Sequence, residues 1–514
     1  MKRIFVLEAV ILSAVQITAS AAIYNIGYYD ESGKLTATKT IERSDDADIY
    51  EYADHYAPKN VKSSRIHKYS NGVWENSSYE IEKRRESVSY TLKAANVTDE
   101  MCDPQYWLKD GTDDLILSGA EIDALNRRIL DDEDTMMSDL EALDERYNGM
   151  ELKEALASFA SPEEMYIDGE PVDESFYESI RRNIKDTTVT EHEKVRYGIC
   201  TTRTLLKGYP YSEWLSDSEW DKEWDNFVNT AVLVGEPLAL YNTTADGRFI
   251  YARSACCNGW IPTEDVAVCK DKAEWIKAKT HTNFLVVTGE RVWLEASYDA
   301  DISQKQLNMG TILELADNVS FKETNRLAWN NYAVKLPVRS DDGSYTEKTA
   351  LISANRDVNI GYLPYTFSNV TKQAFKLLGN RYGWGGMLDS QDCSSFAREI
   401  YFCFGLVLPR NTTWQAAMPV DVTDLGSMTD AEKMTALDTA PPGAILIFPG
   451  HEMIYLGSDN GKYYTINDVS SLVDIRDPDS GVVRPRSVIV NDLSTQRGNG
   501  TTWLSNLTHL IIVK

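Results

Sequence analysis

The chain has 514 residues, 43% of them hydrophobic and 25% charged, with a formal net charge of −27. Such a composition excludes a disordered chain, and the length calls for three or four domains of about 100–200 residues each. A surface this acidic repels phosphate backbones, so no nucleic-acid partner is expected.

The N-terminus opens with Lys2 and Arg3, continues as a mostly apolar stretch and reaches Ala19-Ser20-Ala21, a small-x-small cleavage pattern. Residues 1–21 are therefore expected to be a secretory signal, too short for a comfortable membrane span, with the mature chain periplasmic or extracellular. Seven cysteines are an odd number, which leaves at least one thiol unpaired in an exported protein; no pairing can be assigned from spacing. There is no CxxC and no HExxH, so neither a metal nor a cofactor is expected.

Residues 22–95 alternate in short runs and suggest a small β-containing module. Residues 96–190 form a helical segment; ILSGAEIDALNRRILDDEDTMMSDLEAL carries apolar residues at three-and-four spacing, and nothing in it suggests chemistry. Two sets of short strands follow, at 191–275 and 276–355, with tight turns at Asp246-Gly247 and Asp342-Gly343. Each set is the size of a small SH3-like barrel, one continuous β domain being the alternative. From 356 to 514, helices ending at Gly379 and Gly405 precede the strands GAILIF, HEMIYLG and YYTIND, an α+β order. The fold class expected is thus multidomain α+β.

The chemistry concentrates in RYGWGGMLDSQDCSSFAREIYFCFGLVLPRNTTWQ. Cys393 directly precedes a helix, whose first N–H groups favour a thiolate and can hold an oxyanion. His451 starts a strand after a Pro-Gly turn, where a neutral imidazole can take the thiol proton and return it to a leaving amine. Its ring needs an orienting partner. Beyond a hairpin turn at Asn460-Gly461, alternation in YYTIND puts Tyr463, Thr465 and Asn467 on one face, and an amide oxygen suffices. Each residue taken alone is more often structural.

Together, YGWGGMLDSQDCSSF and FGLVLPRNTTWQ resemble the NlpC family of papain-like murein peptidases, with its Y-x-W-G-G … D-C-S signature and following L-P-R-x-[ST] … Q. GAILIFPGHEMIYLG and YYTINDVSSL are similar to its next two strands, and the resemblance covers about 360–514. It implies a papain-like catalytic domain over 356–514 with Cys393 as nucleophile, His451 as general base and Asn467 as orienter, at a position commonly His in the family. Asp468 is the alternative third member. It also implies a site for the substrate's ammonium group at Tyr382, Asp392 and Ser394. Arg410 and Gln415 fit the pattern and are expected to pack the loop, and Trp384 to be core. VGEPLAL and GWIPTEDV resemble strings of NlpC enzymes with two bacterial SH3-like (SH3b) domains, in which a barrel acid, here Glu236, assists. The implied activity is cleavage of peptidoglycan stem peptides at the γ-D-glutamyl–diamino acid bond, with a free N-terminal L-Ala, the partners being stem peptides or muropeptides. A non-catalytic wall-binding protein, or an amidase or acyltransferase on another amide, is the alternative.

Overall fold

The computed structural model describes residues 22–29, 34–43, 63–70, 73–80, 92–317 and 319–514; the expected signal over 1–21 lies outside them. The chain divides into two units, Met1–Leu92 and Lys93–Lys514. In the first, strands β1 (Ala22–Tyr29), β2 (Leu35–Arg43), β3 (Ser63–Ser70) and β4 (Val73–Glu80) form an antiparallel sheet in the order β2-β1-β3-β4. Tyr24, Ile26 and Tyr28 recur at every second residue and are buried on one face with Ile66, the period of a half-buried sheet.

The second unit begins with the segment expected to be helical, and its helices pack into two different cores. Helix α1 (Gly119–Asp131) packs Ile122, Leu125 and Ile129 into the core of the C-terminal domain, where Trp107 joins them. The Asn126 amide fixes this docking by bonding Gly405 O at 2.7 Å and the Val407 N–H at 3.0 Å. Helices α2 (Gly149–Ala157) and α3 (Glu174–Lys185) instead bury Ala157, Tyr177, Ile180 and Ile184 against Phe249 and Trp260 of the following β region. Apolar periodicity marks each helix but not the core that its stripe meets.

That β region is a seven-stranded antiparallel sheet of β5 (Arg196–Cys200), β6 (Thr204–Lys207), β7 (Val228–Val232), β8 (Pro237–Thr243), β9 (Phe249–Arg253), β10 (Asn258–Pro262) and β11 (Val266–Val268). Their order is β7-β6-β10-β9-β8-β5-β11. The β8–β9 turn falls at Asp246-Gly247, with Gly247 at φ 75°. A second β region between 284 and 360 holds a three-stranded sheet and two strand pairs; its long hairpin, Asn331–Arg339 with Tyr345–Ser353, turns through Asp342-Gly343.

In the C-terminal domain, α4 (Phe367–Lys376) and α5 (Cys393–Phe402) precede the short α6 (Thr412–Ala416). A six-stranded antiparallel sheet then includes β12 (Ile445–Phe448), β13 (His451–Asp459), β14 (Lys462–Val469) and β15 (Ser487–Asp492) side by side. Phe396, Ile400 and Phe404 sit in one buried core with Ile445, Ile454 and Ile466 of that sheet, which lays α5 across β13 and β14. Among the described residues no helix is long and apolar enough to cross a membrane.

Candidate active site

Cys393 is the first residue of α5, and Asp392 caps the helix. The Asp392 carboxylate accepts the Ser395 N–H at 2.9 Å, while the Asp392 N–H donates to Ser395 Oγ at 2.8 Å. The N–H groups of Cys393 and Ser394 have no acceptor among the described residues. Their partial positive charge stays available to an oxyanion formed beside the sulfur. The thiolate expected from the helix start is not the resting state. Burial pushes the Cys393 thiol well above its ordinary range, and the carboxylates of Asp392, Glu452 and Asp468 push the same way. The Glu452 backbone offsets this only in part. Desolvation of a charged sulfur outweighs the helix end here.

The same strand that brings Glu452 to the sulfur begins with His451. Its Nε2 lies 2.8 Å from Asn467 Oδ1. The Asn467 amide is fixed from its other end: Nδ2 donates to Asn491 Oδ1 at 2.7 Å and to Thr465 Oγ1 at 3.1 Å. The amide oxygen therefore faces the ring, so Nε2 carries the proton and Nδ1 keeps its lone pair. The ring is partly buried, packed 5.1 Å from Trp503 and 5.3 Å from Phe448 between ring centroids. That burial lowers the imidazole to about 4, against the Asn467 bond that supports its charge. The site thus rests as a neutral thiol and a neutral imidazole with a free acceptor nitrogen. Among the described residues there is no direct hydrogen bond between them.

The three residues expected to bind an ammonium group lie together but are differently engaged. Tyr382 is buried, stacked on Trp224 at 6.2 Å, and its phenol is raised by burial and by the neighbouring Cys393 and Asp392. Asp392 is already neutralised: Arg410 holds it through Nη2–Oδ2 at 2.6 Å and Nη1–Oδ1 at 3.2 Å, and the Gly385 N–H adds a bond at 3.0 Å. That pairing keeps its carboxyl at about 2 in spite of burial. Ser394 Oγ also accepts from Arg410, at 3.0 Å. Gln415 ties down the same corner, donating to Ser394 O and Pro409 O at 3.2 and 3.1 Å.

Cys393 opens onto a cleft of 540 Å³ also lined by Val228 and Asn229 of β7, Arg253 of β9, Asn258 of β10 and, from the adjoining loops, Asn226, Cys256 and Cys257. Trp384, expected to be core, is 39% exposed, lines this cleft and stacks on Trp224 at 5.2 Å. Glu236 does not line the cleft; its carboxylate accepts the Leu233 N–H at 3.0 Å and burial raises it to about 7. Asp468 makes no bond to His451, and its oxygens are buried without a partner among the described residues. Residues 383–386 explain the close fit of the wall. Gly385 and Gly386 adopt φ 65° and 97°, and a methyl group at either would collide with Val228 or Ala231 of β7.

Four contributors carry no local signature in the sequence: Asn491, Trp503, Glu452 and Thr230, whose hydroxyl accepts the Arg410 Nε–H at 2.8 Å. Each acts through a partner distant in the chain or through burial, and neither is visible in spacing.

A helix-borne thiol, a strand-borne His–Asn pair and unused N–H donors at the helix start can together supply a nucleophile, a base and an oxyanion site. Residues 379–491 match the model of the NlpC/P60 family and residues 216–262 that of the SH3 domain of SH3b1 type, so the chain carries an NlpC/P60 cysteine-peptidase domain and an SH3b domain. Its fold is similar to that of a solved structure described as a novel NlpC/P60 endopeptidase from Photobacterium damselae subsp. piscicida, with a TM-score of 0.64 at 17% identity over 80% of this chain and 96% of that one. An NlpC/P60 family protein from Bacillus cereus ATCC 10987 aligns with a TM-score of 0.43 at 16% identity, over 62% of this chain and 99% of that one. No curated protein matches by sequence.

Proposed function

We propose that the protein is an exported cysteine endopeptidase that hydrolyses peptidoglycan stem peptides between γ-D-glutamate and the following diamino acid. The supporting observation is that Cys393 opens a helix packed on the strand that begins with His451, an imidazole whose tautomer Asn467 sets. His451 Nδ1 takes the thiol proton as sulfur attacks the γ-carbonyl carbon. The oxyanion is received by the Cys393 and Ser394 N–H groups. Collapse breaks the C–N bond, the imidazolium gives its proton to the leaving amine, and a thioester remains. Water, deprotonated by the same imidazole, releases the γ-D-glutamyl product and the thiol. Because both groups rest neutral, the charge separation is created only when the carbonyl is in place.

A free N-terminal L-Ala is the finer part of this proposal. Tyr382 and Ser394 offer it oxygen atoms, whereas Asp392 offers an oxygen without net charge. Incubation with L-Ala-γ-D-Glu-L-Lys and its N-acetylated form, read by mass spectrometry, tests the whole. Release of the L-Ala-γ-D-Glu dipeptide by the wild type and none by Cys393→Ala is expected. Undiminished cleavage by Cys393→Ala rejects the mechanism, and no dipeptide from either peptide moves the activity to another amide.

A further inference from the structure

The cleft at Cys393 has an unbalanced charge. Asp392 is the one carboxylate among the described residues that line it, and Arg410 neutralises that group at both oxygens. The remaining charged lining residue is Arg253, the last residue of β9. Its guanidinium makes no ion pair and no hydrogen bond among the described residues, its charge acting on the phenols of Tyr241 and Tyr251, although 79 of the 514 residues are acidic. Around it the wall offers donors. Asn226 and Asn411 spend their amide oxygens on the N–H groups of Asp217 and Trp414, at 3.1 and 3.0 Å, which leaves their NH2 groups unassigned to any protein acceptor.

A cation left unpaired in a strongly acidic protein, inside a cleft shared with the nucleophile, fits an anion supplied by the substrate. An ammonium group finds no uncompensated acid there. We infer that Arg253 reads a carboxylate of the stem peptide close to the scissile amide, so that substrate selection at this cleft includes that anion. This rests on the peptidase function proposed above and adds a specificity-determining residue to it. Two carboxylates of the peptide have the required chemistry: the α-carboxylate of D-glutamate, left free by the γ-linkage, and a carboxylate of the diamino acid. A planar guanidinium binds either in a two-pronged, charge-assisted contact.

Binding to the full chain bearing Cys393→Ala separates recognition from turnover. Calorimetric titration with L-Ala-γ-D-Glu-L-Lys is compared with the peptide amidated at the D-glutamyl α-carboxyl and with the peptide amidated at the lysyl carboxyl. Amidation at one of these positions is expected to weaken binding by about 10- to 100-fold, and the position affected names the carboxylate. Adding Arg253→Gln removes that difference and Arg253→Lys keeps part of it. The inference is overturned by a peptide that does not bind, by amidation effects below about 3-fold at both positions, or by a difference that survives Arg253→Gln. A wild-type enzyme that leaves the amide intact while Arg253 still discriminates the carboxylate refutes the proposed reaction and not the anion site.

Discussion

Arg410→Met is the perturbation whose cost the structure defines most closely. Arg410 and Asp392 are each 5% exposed, and the guanidinium also donates to Ser394 Oγ at 3.0 Å and to Thr230 Oγ1 of β7 at 2.8 Å. Truncating one partner of a buried pair costs about 3–5 kcal/mol, because the other charge is left in a medium that cannot solvate it. The acid-base behaviour gives a similar scale. A carboxyl lowered from 3.8 to about 2 adds about 2–3 kcal/mol of stability. That contribution is complete above the unfolded value and is lost as the pH falls through the folded one. Guanidinium titrations of the full chain, followed by tryptophan fluorescence, should show the deficit at pH 7 and a smaller one near pH 3, where the variant's Asp392 takes up a proton. Asp392→Asn combined with Arg410→Met should recover at least half of the loss, since no charge then remains buried. A single variant within about 1 kcal/mol of wild type, or a double variant no better than the single, would refute this account.

Two further outcomes are expected. His451 ionises near 6.5 when unfolded and near 4 when folded, so between those values the unfolded chain binds more protons and stability falls as pH falls; kcat/KM should rise through about pH 4, and a rise centred near 6.5 in a pH–rate profile would contradict the buried, neutral imidazole. Both carboxylate oxygens of Glu452 are buried without a partner among the described residues, and this group raises the Cys393 thiol. Burial also holds the Glu452 carboxyl well above its ordinary range, so Glu452→Val should raise stability by about 1–3 kcal/mol, the cost of an unsatisfied buried polar group, and shift iodoacetamide labelling of Cys393 to lower pH, whereas an unchanged labelling profile would remove Glu452 from the control of the thiol.

What could be read from the sequence was whatever is encoded locally. Cys393 and His451 stand in ordered strings with turn and helix punctuation, and Asn467 follows from alternation along one strand. The hairpin at Asn460-Gly461 has both residues at positive φ, 48° and 74°, as its dipeptide suggests. What stayed hidden depends on burial and on contacts between distant segments. The sign of the thiol's shift is one case, because a helix start can be recognised in sequence and the desolvation around it cannot. The division of 96–190 between two cores is another, since an amphipathic stripe specifies a face and not its partner. Asp392 shows the same limit: its role changes once Arg410, 18 residues away, is seen to occupy both its oxygens.

The contact of Gly385 and Gly386 with β7 bears on how such a chain can be rebuilt. Two domains joined by a tether can be exchanged like beads, each keeping its own surface. Here the catalytic loop has given up its side chains so that a neighbour's strand can lie against it, and Arg410 reaches over to Thr230 on that strand. A foreign barrel grafted in this place would leave an open seam beside the nucleophile unless it matched that strand almost atom for atom. The cleft and the strand that walls it are therefore one packed object, and a change on either side of the seam asks for a matching change on the other.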